Sequence, residues 1–103
     1  MPIPLETRER IDEDPYYKRC ARENTDCSGR ITVEHSWYFA GKRINDYWAL
    51  IPLCVYHHLG KGLDKRINQA IAVARTTPED RAKYPKIEWE RVQAYLKLFA
   101  PPL

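Results

Sequence analysis

The sequence predicts a single α+β domain in which two strands precede a set of amphipathic helices. Three patterns lead to that expectation. Over residues 30–39, Ile31, Val33, His35, Trp37 and Phe39 alternate with Thr32, Glu34, Ser36 and Tyr38, the period of a strand rich in β-branched and aromatic side chains. An apolar run over residues 47–55 follows a turn-like stretch with Gly41, Lys42, Arg43, Asn45 and Asp46, which gives a second strand joined to the first by a basic loop. After Gly60 and Gly62, the residues Leu63, Ile67, Ala70, Ile71 and Ala74 recur at helical spacing on one face.

The flanking segments complete the layout. Residues 1–19 mix Pro2, Pro4 and Pro15 with alternating charges and read as an irregular or partly helical arm. Thr77 before Pro78, with Glu79 and Asp80 next, has the chemistry of a helix start: a hydroxyl cap, a proline at the first helical position, and acids where the helix dipole favours them. Trp89, Val92, Leu96 and Phe99 line one stripe of a terminal helix that stops before Pro101 and Pro102. The expected organisation is an arm over 1–19 and one domain over 20–103, with a core at 20–62 and a helical extension at 63–103.

With 103 residues, a charged share of 30% and a hydrophobic share of 44%, the composition is that of a small globular domain with a modest core. No apolar stretch at the start reads as a secretory signal, and the run at 47–56 is broken by Pro52 and too short to cross a bilayer, so a cytoplasmic location is expected. The net charge of +3 is compatible with nucleic acid without pointing to it. Three cysteines cannot all pair within one chain, and a reducing compartment disfavours disulfides, which turns attention to a metal.

Cys20, Cys27, Cys54 and His57 make four soft ligands, the last two at knuckle spacing. Three thiolates and an imidazole suit tetrahedral Zn²⁺, and a closed set of four is structural rather than catalytic. The alternative is that the cysteines are small buried hydrophobes. His58 directly follows His57, and neighbours entering a helix differ by about 100° in direction, so one imidazole can face a metal and the other a cleft. Glu34 and His35 form a second acid and imidazole pair; alternation alone favours His35 as a core histidine on the face of Ile31, Val33 and Trp37.

Taken in order, Cys20 and Cys27, then Glu34-His35, a basic loop with Asn45, and an apolar strand ending Leu53-Cys54 before Val55-Tyr56-His57-His58 resemble the HNH endonuclease pattern, in particular small zinc-bound HNH proteins encoded by bacteriophages. The resemblance covers the middle half of the chain. It implies a ββα-metal (His-Me finger) fold stapled by zinc, with His57 in place of the knuckle's second cysteine. It further implies DNA phosphodiester hydrolysis leaving 5′-phosphate and 3′-hydroxyl ends, with His35 as the general base. Glu34 and His58 would hold a catalytic Mg²⁺ or Mn²⁺, and an asparagine would orient His35. The family's asparagine position is occupied by Ala49; Asn45 is the nearest candidate, with Asp46 or a backbone carbonyl as substitutes. Lys42, Arg43, Lys61, Lys65 and Arg66 would neutralise DNA phosphates or form a solvated charged face. The implied setting is recombination, repair or packaging of phage or prophage DNA in a bacterial cytoplasm, with a possible partner protein from that machinery. Two rival readings are a zinc-containing nucleic-acid-binding module without catalysis and an interaction domain whose terminal stripe is exposed. Glu34 and His35 are also sequence neighbours that would face opposite sides of a regular strand, so both serve one site only where the strand ends or distorts.

Overall fold

The computed structural model describes residues 3–22, 27–60 and 64–99. Pro2, Lys61, Gly62, Leu63, Pro101 and Pro102, named above, lie outside them. The strands expected from alternation form an antiparallel pair, β1 (Ile31–His35) and β4 (Leu50–Cys54), in the register Ile31↔Cys54 through His35↔Leu50. All five residues of β4 are buried. Pro52 can occupy it because the sheet has two strands and an outer edge needs no amide donor.

The expected first strand over 30–39 is too long. It breaks after His35, where Ser36 donates both its amide (2.9 Å) and its hydroxyl (2.6 Å) to the carbonyl of Ala49. Trp37 then turns into the core and donates its indole N–H to Gln69 O at 3.3 Å. The expected loop is itself a small hairpin, β2 (Tyr38–Phe39) paired with β3 (Lys42–Arg43). Ala40 and Gly41 lie between them with φ of 53° and 78°, the two left-handed residues of a tight hairpin turn. The second strand also starts later than its apolar run: Tyr47–Ala49 forms a 3₁₀ turn closed by Ala49 N–H to Asp46 O.

The chain before the hairpin is ordered into α1 (Leu5–Glu13) and a 3₁₀ turn at Pro15–Lys18. Ile11 and Tyr17 pack on Leu50, and the Tyr17 hydroxyl bonds Leu50 O at 2.6 Å, so this segment covers one face of β4. The other face, through Ile51 and Leu53, meets Trp48, Ile44 and Ala72. Helix α2 (Val55–Leu59) continues directly from β4.

Helix α3 (Lys65–Ala74) is capped by the Asp64 side chain and lies between two apolar clusters, burying Asn68, Ala70, Ala72 and Val73. The buried face is thus rotated from the expected stripe, and Ala74 is exposed. The start at Thr77 is as expected: α4 (Pro78–Ala82) has a reciprocal capping box between Thr77 and Asp80. Helix α5 (Trp89–Leu96) packs its Trp89, Val92 and Leu96 stripe, continued by Phe99, against Ala70 and Val73. That stripe is therefore engaged within the chain. Among the described residues, no helix is long and apolar enough to cross a membrane.

A short clasp sets where β1 begins. Val55 N–H bonds Arg30 O and Tyr56 N–H bonds Ser28 O, tying residues 28–30 to the start of α2. Gly29 sits inside it at φ 83°, and a Cβ there would meet Val55 Cβ at 2.8 Å. Gly29→Ala is therefore expected to lower stability by roughly 2–4 kcal/mol, the sum of a left-handed alanine and an overpacked contact, measurable by urea unfolding.

Candidate metal centre and adjoining cleft

The clasp brings Cys27 to the junction of β4 and α2, where Cys54 and His57 already lie one turn apart. The end of the 3₁₀ turn brings Cys20 to the same point, held by the Ala21 amide on Pro52 O at 2.7 Å. The result is a group of four ligand atoms all within 4.8 Å of one another. His57 Nδ1 lies 3.4 Å from Cys20 Sγ, 3.5 Å from Cys27 Sγ and 3.2 Å from Cys54 Sγ. One imidazole nitrogen has a single proton or a single lone pair, so hydrogen bonding alone cannot use three sulfurs around it. A cation at the centre can: ideal Zn–S and Zn–N bonds at tetrahedral angles put sulfur and nitrogen about 3.5 Å apart. The group could therefore hold a metal ion such as zinc. It is buried except at Cys27, which is partly exposed.

The thiols are not equivalent. Burial, above all, pushes Cys20 up to about 11, so without a cation it stays protonated. At Cys54 burial acts in the same direction, but hydrogen bonds from the His57 and Ser28 backbones and from the other two thiols outweigh it and hold the group below its ordinary value. Cys54 is better prepared than Cys20 to be a thiolate.

His57 and His58 diverge as their helical spacing requires. His57 turns into the core, 1% exposed, while His58 Nδ1 lies 2.6 Å from the Thr32 hydroxyl oxygen. That hydroxyl donates its own proton to Leu53 O at 2.8 Å, so it accepts from His58 Nδ1–H and leaves the lone pair on Nε2. Metal-binding imidazoles are commonly fixed in this way.

Because β1 ends at His35, Glu34 and His35 line the same cleft, about 200 Å³, together with Ser36, Tyr38, Lys65, Asn68 and Gln69. His35 Nε2 lies 2.7 Å from Asn45 Oδ1. An amide oxygen only accepts, so Nε2 carries the proton and Nδ1 keeps the lone pair. The Glu34 carboxylate is held on both oxygens, by Lys65 Nζ at 3.3 Å and Asn68 Nδ2 at 2.6 Å. Lys65 Nζ also bonds the backbone carbonyl of His58 at 2.9 Å, while the His58 imidazole turns to Thr32 and is not among the residues lining this cleft. Half of the Lys65 side chain is exposed, and a pair so solvated contributes only about 0–1 kcal/mol. It holds the carboxylate without locking it. Among the described residues, the Cys20, Cys27, Cys54 and His57 set is the one group of three or more ligands.

The other basic residues divide. Lys42 and Arg43 are exposed on the β2–β3 hairpin. Arg66 binds Asp64 at 2.9 Å and lies over the Phe99 ring at 4.1 Å. Lys61 is outside the described residues. Sequence reading missed Thr32 and Asn68. Asn68 is 1% exposed and links Glu34 to Arg22, whose Nη1 lies 3.4 Å from Asn68 Oδ1. In the sequence Asn68 stands beside Gln69 behind Lys65 and Arg66, and nothing there marks it out from its polar neighbours.

His57→Ala is expected to abolish stoichiometric zinc in the purified protein, whereas His58→Ala should retain it; zinc analysis of both variants checks the division of the two imidazoles. Comparison with protein-family models, curated proteins and solved structures returned no match.

Proposed function

We propose that the protein is a metal-dependent DNA endonuclease of the HNH type, its β1–β4 hairpin and α2 forming a zinc-stapled ββα-metal core. The observation that carries this reading is the His35–Asn45 pair beside Glu34 at the end of β1. Asn45, four residues before the Ala49 that occupies the family's asparagine position, reaches His35 from the loop.

In this reading His35 Nδ1 takes a proton from water, and Asn45 keeps the ring in the tautomer that leaves Nδ1 basic. The imidazolium that forms remains hydrogen-bonded through Nε2–H. Glu34 and the Nε2 of His58 suit a hard divalent cation, because Mg²⁺ and Mn²⁺ accept one or two protein ligands and take the rest from water and phosphate. When bound, such an ion would neutralise charge growing on the scissile phosphate and leaving oxygen. Asn68 holds Glu34 in place for that role, and Lys65 yields the carboxylate. Lys42 and Arg43 would bear on neighbouring phosphates, and the substrate setting would be phage or prophage recombination, repair or packaging. A zinc-containing nucleic-acid-binding module without catalysis is the second reading, favoured by the engagement of Glu34 with Lys65 and Asn68.

Incubation of supercoiled plasmid with zinc-loaded protein separates the two. Nicking that requires Mg²⁺ or Mn²⁺ and falls by about 10²–10⁴ in His35→Ala, at unchanged zinc content, is expected. A folded, zinc-loaded wild type that binds the plasmid but leaves it intact would favour the binding module.

A further inference from the structure

Tyr38 lines the same cleft as Glu34 and His35, three residues beyond the proposed base, yet the mechanism gives it no part. It is 57% exposed. Strand alternation explains why: its neighbour Phe39 turns to the core and packs edge-on against Tyr84, ring centroids 5.5 Å apart, so Tyr38 faces out. The hairpin that carries it is anchored at its base, where the buried Ile44 donates its amide to Trp37 O at 3.0 Å. The turn at Ala40 and Gly41 closes its other end.

Three other tyrosines are more than a third exposed, and each is engaged within the fold. Tyr16 lies under the Arg75 guanidinium, Tyr56 stands edge-on to His57, and the Tyr95 hydroxyl accepts from Arg66. Tyr38 has no ring, cation or hydrogen-bond partner among the described residues. Directly across the hairpin from it stands Arg43, and cross-strand partners share a face. Arg43 is exposed and makes no ion pair with a described residue. The carboxylate of the cleft, Glu34, is already covered by Lys65 and Asn68. An open aromatic ring and an open guanidinium therefore share the outer face of a hairpin that borders the cleft.

We propose that Tyr38 and Arg43 hold an unpaired nucleotide of a DNA strand, its base stacked on the Tyr38 ring and its phosphate on Arg43, next to the phosphate in the cleft. This deepens the nuclease reading and rests on the part of it that makes the cleft a DNA site. Inside a duplex both faces of a base are covered by its neighbours, so a protein ring stacks only on a base that has left the helix. A ring at the rim of the cleft thus selects DNA with an unpaired stretch over continuous duplex. Tyrosine suits the task because its large rigid surface has few torsions to freeze, and here the anchored hairpin already holds its backbone. Every base has a π face, so the selection is for DNA structure rather than sequence.

Equilibrium binding to the zinc-loaded chain without Mg²⁺ or Mn²⁺ tests this. One DNA sequence is offered as a single strand, as a continuous duplex and as a duplex with a short unpaired bubble, with 2-aminopurine in the stretch that becomes unpaired. The single strand and the bubble should bind about tenfold more tightly than the duplex, with 2-aminopurine emission falling as the base stacks. Tyr38→Ala, at unchanged zinc content, should remove both the preference and the fall in emission, and Tyr38→Trp should retain them. Equal affinity for the three forms, a preference that survives Tyr38→Ala, or no binding of any form would overturn the proposal. The plasmid assay keeps the two claims apart. A chain that nicks plasmid without this preference keeps the nuclease reading and loses this one, whereas a Tyr38-dependent preference in a chain that cuts nothing keeps this one as the property of a binding module.

Discussion

Everything else in this fold depends on the convergence of three sulfurs on one imidazole nitrogen. Cys20 ends the N-terminal segment, Cys27 precedes β1, and Cys54 and His57 join β4 to α2. Holding those four ligands fixes the end of the sheet where β1 begins and β4 finishes, in a chain whose sheet is only two strands wide. A two-stranded hairpin is marginal by itself in water. Here one face of β4 is closed by Ile11 and Tyr17, the other by Trp48 and Ala72, and its end is closed by the ligand group. Small domains commonly need such a staple because their cores are limited.

The same constraint separates the two histidines. With His57 committed inward, helical geometry sends His58 to Thr32, on the face of β1 that also carries Glu34. The break after His35 then matters as much as the strand: Ser36, bonded twice to Ala49 O, ends the pleat and lets Glu34 and His35 reach one cleft. Ala49 thus supplies its backbone carbonyl at the strand end, and Asn45 supplies the side-chain contact to His35.

Much of this was legible in the sequence because it follows from periodicity and local chemistry. Alternation located β1, the Thr77-Pro78 signal located α4, and cysteine arithmetic with the knuckle spacing found the ligand set. What was not legible depends on tertiary partners. The end of β1 is set by a carbonyl thirteen residues away, and the alternation of Trp37 and Phe39 continues past it regardless. Positive φ at both Ala40 and Gly41 made a hairpin of what composition marked as a loop. The N-terminal segment read as irregular or partly helical, and its docking was not legible because Ile11 and Tyr17 find their partner only in Leu50. Asn68 was overlooked because its importance lies in whom it touches.

The most direct test of the central claim is near-ultraviolet circular dichroism of the reduced protein before and after chelation, followed by titration with Zn²⁺. The signal from the packed Trp37, Trp48, Trp89 and Tyr84 rings is expected to collapse when metal is withdrawn and to return fully at one equivalent of zinc per chain. A spectrum that survives chelation in verifiably metal-free protein would contradict the account, because the fold would then stand without its staple.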